Sequence, residues 1–119
     1  MRQGDLHTAI LEYQKALDID ETCYIAHNDI GVALWSAGRA EDSIAALKKA
    51  LSFKPGFVDA AINLASIFAA TERHDEAIPF LNEAAGIHPQ SKELQKQLEH
   101  FAPSTILQHK VTTLSLIHI

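Results

Sequence analysis

The sequence predicts an all-α fold: a solenoid of antiparallel helical hairpins, each stacked on the next. Three observations carry that prediction. The 119 residues include only 5 glycines and 4 prolines, and the alanine- and leucine-rich remainder favours helix because those side chains lose little rotamer freedom there. A pattern recurs every 34 residues: Ala16, Ala50 and Ala84 share one position, Ile10, Ile44 and Ile78 another, and Ala9, Ser43 and Ala77 a third. Tyr13, Leu47 and Leu81 align at the same offset, as do Ile19, Phe53 and Ile87. Finally, within each period the apolar residues are spaced for one face of a helix of about 3.6 residues per turn.

Each unit reads as two helices and a turn. Ile30, Ala33, Leu34 and Ala37 form the apolar stripe of the first helix, and Ile44, Leu47 and Leu51 that of the second. Gly38-Arg39-Ala40-Glu41 separates them, with the glycine at the C′ position where a helix turns off. Ala50 is small enough for a neighbouring helix to approach closely. Pro55 and Pro89 end the second helices of their units, because proline lacks an N–H and clashes with the preceding turn. Pro79 falls early in a second helix and would kink it if it lay beyond the first turn. One hairpin cannot bury its apolar face alone, and stacking buries it.

The period and these positions resemble the tetratricopeptide repeat. The unit at 24–57 carries Ile30, Gly31, Leu34, Ser43, Leu47, Ala50 and Pro55 at the family's characteristic positions, and the unit at 58–91 carries Leu64, Ala65, Phe68, Ala77, Leu81, Ala84 and Pro89. Residues 1–23 match only the second half of a unit, through Gly4, Ala9, Tyr13 and Ala16. The chain departs from the pattern at His27 and Ala61, where tryptophan is usual, and at Glu72, where glycine is usual. The resemblance covers residues 1–101 and implies a right-handed superhelix.

Both ends read as cut. The half unit at 1–23 lacks its opening helix and leaves Leu6, Ile10, Tyr13 and Leu17 facing water on one side; a natural start at Met1 would make it a tolerated edge. Residues 92–102 form a capping helix or the start of a further repeat, with Ser91 as N-cap and Leu94, Leu98 and Phe101 on one face, opposite Lys92, Glu93, Lys96 and Gln97. Residues 103–119 are an irregular tail. Its last six, Leu114-Ser115-Leu116-Ile117-His118-Ile119, can be encoded as CTG TCT CTT ATA CAC ATC, a string that resembles the transposon-end adapter of sequencing libraries. On that expectation the frame runs from the gene into adapter.

Charge and motifs narrow the function. The net charge is −5 with no basic run, which argues against nucleic acid, since affinity for it comes largely from cations that neutralise phosphates. A lone Cys23 cannot form an internal disulfide, and neither an apolar leader nor a membrane-length apolar run is present; a cytoplasmic protein is expected. Seven histidines fall at no i, i+3 or i+4 pair, as a helical metal site would need. Acidic neighbours Asp20 and Glu21 oppose a nucleophilic Cys23. The pairs Glu41-Asp42 and Asp75-Glu76 fit the positive end of a helix dipole. No catalysis and no cofactor are expected.

The resemblance places a ligand groove on the first helices of successive units. Carried over by position, its residues are Ile25, Asn28, Asp29, Val32, Trp35 and Ser36, then Asp59, Ile62, Asn63, Ser66, Ala69 and Ala70. Trp35 is either an anchor for a partner or edge core, and Asn28 and Asn63 either bond a peptide backbone or face solvent. Chaperone-tail binders of the family use cations in this groove; here the equivalents include Asp29 and Asp59 and no cation. The expectation is a scaffold that holds a protein or peptide, neutral to basic and partly apolar, rather than an acidic chaperone tail. The alternative is the substrate-recruiting arm of a larger enzyme, such as an O-linked N-acetylglucosamine-type glycosyltransferase, suggested by the run Asn63-Leu64-Ala65. Self-association through the exposed repeat edge is a further possibility.

Overall fold

The computed structural model describes residues 3–101 as six helices with no strand among them: α1 (Gln3–Ile19), α2 (Tyr24–Ser36), α3 (Ala40–Phe53), α4 (Val58–Ala70), α5 (His74–Ile87) and α6 (Lys92–Phe101). The tail and its adapter-like end lie outside the described residues. Successive helices pack in order, and α4 also meets both α2 and α6.

The two complete hairpins, α2–α3 and α4–α5, turn in the same way. At the end of α2 the Arg39 N–H donates to the Leu34 carbonyl at 2.9 Å and the Gly38 N–H to the Trp35 carbonyl at 3.0 Å. At the end of α4 the Arg73 N–H reaches the Phe68 carbonyl at 2.7 Å and the Glu72 N–H the Ala69 carbonyl at 3.2 Å. Both are Schellman closures, which satisfy the last carbonyls by placing the C′ residue in left-handed backbone. Gly38 takes it at φ 80° and Glu72 at φ 58°. A Cβ in that region meets the following carbonyl oxygen and costs about 1–2 kcal/mol, so the second hairpin makes the same turn under strain.

Inside each hairpin the crossing is close. Leu47 and Leu81 are completely buried at equivalent positions on α3 and α5. A methyl group on Gly31 would stand 2.7 Å from Cγ of Leu47, which is why a glycine sits there. The equivalent Ala65 is also buried. Ser43 hides its hydroxyl by donating to the Gly31 carbonyl, so the polar group in this crossing is satisfied. Ala50, Ala60, Ala61, Leu64, Phe68, Ala84 and Leu94 complete one core that spans both hairpins and α6.

The remaining elements follow the sequence pattern with some differences. Leu94 is buried, Leu98 and Phe101 pack against the core, and the Ser91 hydroxyl accepts from the Leu94 N–H at 3.3 Å. Pro79 is the sixth residue of α5, past its first turn, yet the helix runs on to Ile87. The prolyl nitrogen deprives the Asp75 carbonyl of an intrahelical donor, and Asp75 lies on an exposed face of the helix. In α1, Leu6 is buried and Ile10, Tyr13 and Leu17 are half-buried, because α2 covers one side of the stripe; Leu11 and Ile19 stay exposed.

The acidic pairs at the starts of α3 and α5 lie in the first turn of each helix. They are tied to arginines just before those helices. Arg39 pairs with Asp42 at 2.7 Å. Arg73 bonds Glu76, reaches back 2.6 Å to Glu41 at the start of α3, and lies 5.1 Å from the Phe68 ring centroid. Glu76 is held below the ordinary carboxylate range by its bond to Arg73.

Candidate functional site

Curvature defines the candidate surface. Helix α2 packs on α4 and α4 on α6, whereas α3 and α5 make no close backbone approach to each other. The inner helices therefore converge while the outer ones splay, and α2, α4 and α6 form a concave wall.

The first helix of that wall, α2, has its other faces committed. Ile30, Ala33 and Leu34 are buried. On the remaining face Ile25, Val32 and Trp35 are 53%, 42% and 38% exposed, and their i, i+7, i+10 spacing keeps them on one side of the helix. These are three large apolar side chains that the chain itself covers only in part. On α4 the equivalent positions hold Asp59 and Ser66, both exposed, and the half-buried Ala69. Ile62 is only partly exposed and packs against the core, so it stabilises the stack more than it faces outward.

Between the helices the polar groups are more constrained than the spacing suggests. The Asn63 amide Nδ2 donates to the Asn28 carbonyl Oδ1 at 3.1 Å. Asn28 is 7% exposed, and Asn63 is half-buried. Neither is a free, solvated amide: each spends one group on the other, joining α2 to α4. Asp29 is partly buried beside this bond. Its carboxyl is pushed above the ordinary carboxylate value, first by loss of hydration and second by the charge of Asp59. Two like charges thus share the N-terminal half of the wall. On α6, Lys96 is exposed and Gln97 half-buried.

Two features off the wall escaped the sequence reading. His27 is 7% exposed. Its ring stacks on Phe53 at 5.5 Å, and Nε2 lies 2.9 Å from the Glu21 carbonyl oxygen. It lines a depression of about 370 Å³ with Leu17, Asp18, Glu21, Lys49 and Phe53. A second depression of about 350 Å³ lies where α3 and α5 splay, lined by Lys48, Leu51, Ser52, Pro55, Phe80 and Glu83. Residue type alone carried no signal for the first; the departure from tryptophan at His27 was the available clue. Among the described residues no group of three or more His, Cys, Asp or Glu is placed to hold a metal ion, and no helix is long and apolar enough to cross a membrane.

Known proteins match this architecture. A tetratricopeptide repeat family model matches residues 34–99 and a second one residues 1–56. No curated protein matches the chain significantly. Among solved structures, the first repeat domain of Spaghetti (RPAP3) bound to the HSP90 peptide SRMEEVD superposes with a TM-score of 0.72 at 16% identity, covering 87% of this chain and 85% of that one. The TPR2B domain of yeast Sti1, in a complex with pHsp70, gives 0.70 at 20% identity over 86% of both chains. MamA gives 0.71 at 20% identity over 91% of this chain and 59% of its own. At these identities the likeness is one of fold. With hairpin geometry, turn closure and two family models in agreement, this chain belongs to the tetratricopeptide repeat family.

Proposed function

We propose that the chain is a protein-interaction module that holds a peptide or protein segment along the wall of α2, α4 and α6, with no catalytic step of its own. The observation that carries this reading is the partly exposed apolar stripe of Ile25, Val32 and Trp35 on a concave surface. Large apolar side chains without cover mark interaction surfaces, and tryptophan is among the strongest anchors at them. Structural neighbours bound to peptides, such as the Spaghetti domain with SRMEEVD, support the class of partner. They do not extend to the same ligand. That peptide is acidic, and here Asp29 and Asp59 stand on the α2 and α4 part of the wall, with the exposed Lys96 on α6, so a neutral or basic, partly apolar segment suits the α2–α4 part better.

A peptide array probed with the chain and with Trp35→Ala tests the reading, with circular dichroism to confirm that both fold. Loss of array binding in the variant is expected. Equal binding by both proteins overturns the role of this wall. SRMEEVD itself should show no measurable affinity, and clear saturation with that peptide would contradict the charge argument.

A further inference from the structure

The wall is not uniform along its length, and the asymmetry names a ligand. Its apolar anchors all belong to α2, and the matching positions of α4 are Asp59, Ser66 and Ala69. On α2 the carboxylate of Asp29 falls after Ile25 and before Val32 and Trp35, and Asp59 lies in the first turn of α4. At about 1.5 Å of rise per residue, Asp29 and Trp35 are separated by roughly 9 Å along the axis. The Asn28–Asn63 bond lies between α2 and α4 and fixes their spacing.

We infer that the occupant of this wall includes an extended stretch lying alongside α2, whose lysine or arginine sits against Asp29 and Asp59 while an apolar side chain about three residues away covers Val32 and Trp35, since an extended chain advances about 3.3 Å per residue. This rests on the reading of the wall as a peptide-binding surface. Charge complementarity selects the cation. Two carboxylates that repel each other gain from a shared counter-charge, and the partial burial of Asp29 strengthens that attraction relative to a fully solvated pair. The exposed apolar stripe selects the second feature, because a cation alone would leave Trp35 and Val32 uncovered. The spacing then joins the two into one motif. A second copy of the chain could cover the same stripe, and its acidic balance, with 15 carboxylates against 10 cations, makes it the poorer match.

A random peptide library displayed on phage and selected on the immobilised chain tests the inference, in parallel with the double variant Asp29→Asn/Asp59→Asn. Trp35 is the only tryptophan, so its emission reports occupancy when selected peptides are titrated in solution. Peptides from the native chain should carry Lys or Arg about three residues from an apolar residue and should shift the Trp35 emission. The double variant should keep the apolar preference and lose the cation, with at least a tenfold fall in affinity for the basic peptides. Raised salt should weaken binding to the native chain and leave the variant nearly unchanged. Peptides that perturb Trp35 but show no enrichment of cations would overturn this inference and leave the peptide-binding reading standing. Selected peptides that leave Trp35 emission unchanged, or bind Trp35→Ala equally, would overturn both. A concentration-dependent dimer in sedimentation that Trp35→Ala abolishes would assign the stripe to a second copy instead.

Discussion

The hairpins α2–α3 and α4–α5 are two solutions to one packing problem. Both close their turns with the same pair of backbone hydrogen bonds, and both bury a leucine from the second helix against a small residue of the first. They differ where the packing problem leaves latitude. The first hairpin uses Gly38 at the left-handed turn position and Gly31 at the crossing; the second uses Glu72 and Ala65. On the concave side the first presents Ile25, Val32 and Trp35, the second Asp59, Ser66 and Ala69. At the crossing and the turn the two hairpins keep the same geometry, with a small residue at the crossing in both, while the wall differs in chemistry. Diversity at the wall is the expected mark of a surface whose residues answer to something outside the chain.

That comparison can be broken or sharpened by substitution. The largest effect should come from the buried leucines. Leu47→Ala and Leu81→Ala should each destabilise the fold by about 3 kcal/mol, as cavities in a packed core do. Urea unfolding checks this, and a much smaller loss in one hairpin would show that the two are not equivalent. Next, Gly31→Ala should cost about 2 kcal/mol, because its methyl group is driven into Leu47 and over-packing strains the crossing. Ala65→Gly, the reverse exchange in the other hairpin, should cost only about 1 kcal/mol of helix propensity. Smaller still, Glu72→Gly should stabilise the protein by about 1 kcal/mol by relieving the left-handed strain, and Gly38→Ala should lose a similar amount. Thermal melts of the pair should move in opposite directions.

The smallest effect concerns pH. The carboxyl of Asp29 titrates above its ordinary value of 3.8 in the folded chain, so the folded state holds that proton more tightly than the unfolded one. Stability from this residue is fully present below pH 3.8 and is lost as pH rises through the folded value. Asp29→Asn should consequently raise the urea midpoint at neutral pH, with a gain that fades toward zero in acid. Asp59→Asn should reproduce part of it by removing the second cause. A gain from Asp29→Asn that persists undiminished below pH 3.8 would point to a cause other than charge.

Much of this architecture was legible because helix packing repeats its demands every 34 residues. Ile44, Leu47 and Ala50 are buried where the periodicity put them, and Gly38 turns the chain at the expected C′ position. Ser91 caps α6 through its hydroxyl. The Asn28–Asn63 bond was hidden by the same device that revealed the rest, since its partners lie 35 residues apart and fall out of register with the repeat. An alignment at the repeat length compares residues with their counterparts, whereas this contact joins non-counterparts on neighbouring helices. The triple engagement of Arg73 with Glu41, Glu76 and Phe68 was equally invisible, because an arginine before a helix has many possible partners until the next hairpin is placed. His27, at a position where the family usually has tryptophan, stacks on Phe53, and both line the depression beside them.

The splay between α3 and α5 sets how the molecule can deform. Curling the crescent tighter presses α2 onto α4, which are already in contact, and flattening it must part the Asn28–Asn63 amides. On the open side α3 and α5 are joined only by side chains, such as Lys48 over the Phe80 ring at 5.7 Å. The Asn28–Asn63 bond thus places part of the resistance to flattening on the inner arc, among the side chains beside which a guest would lie. A ligand that bridges α2 and α4 would act as a brace on the arc's radius, and a load that bends the stack would in turn alter the grip on that ligand.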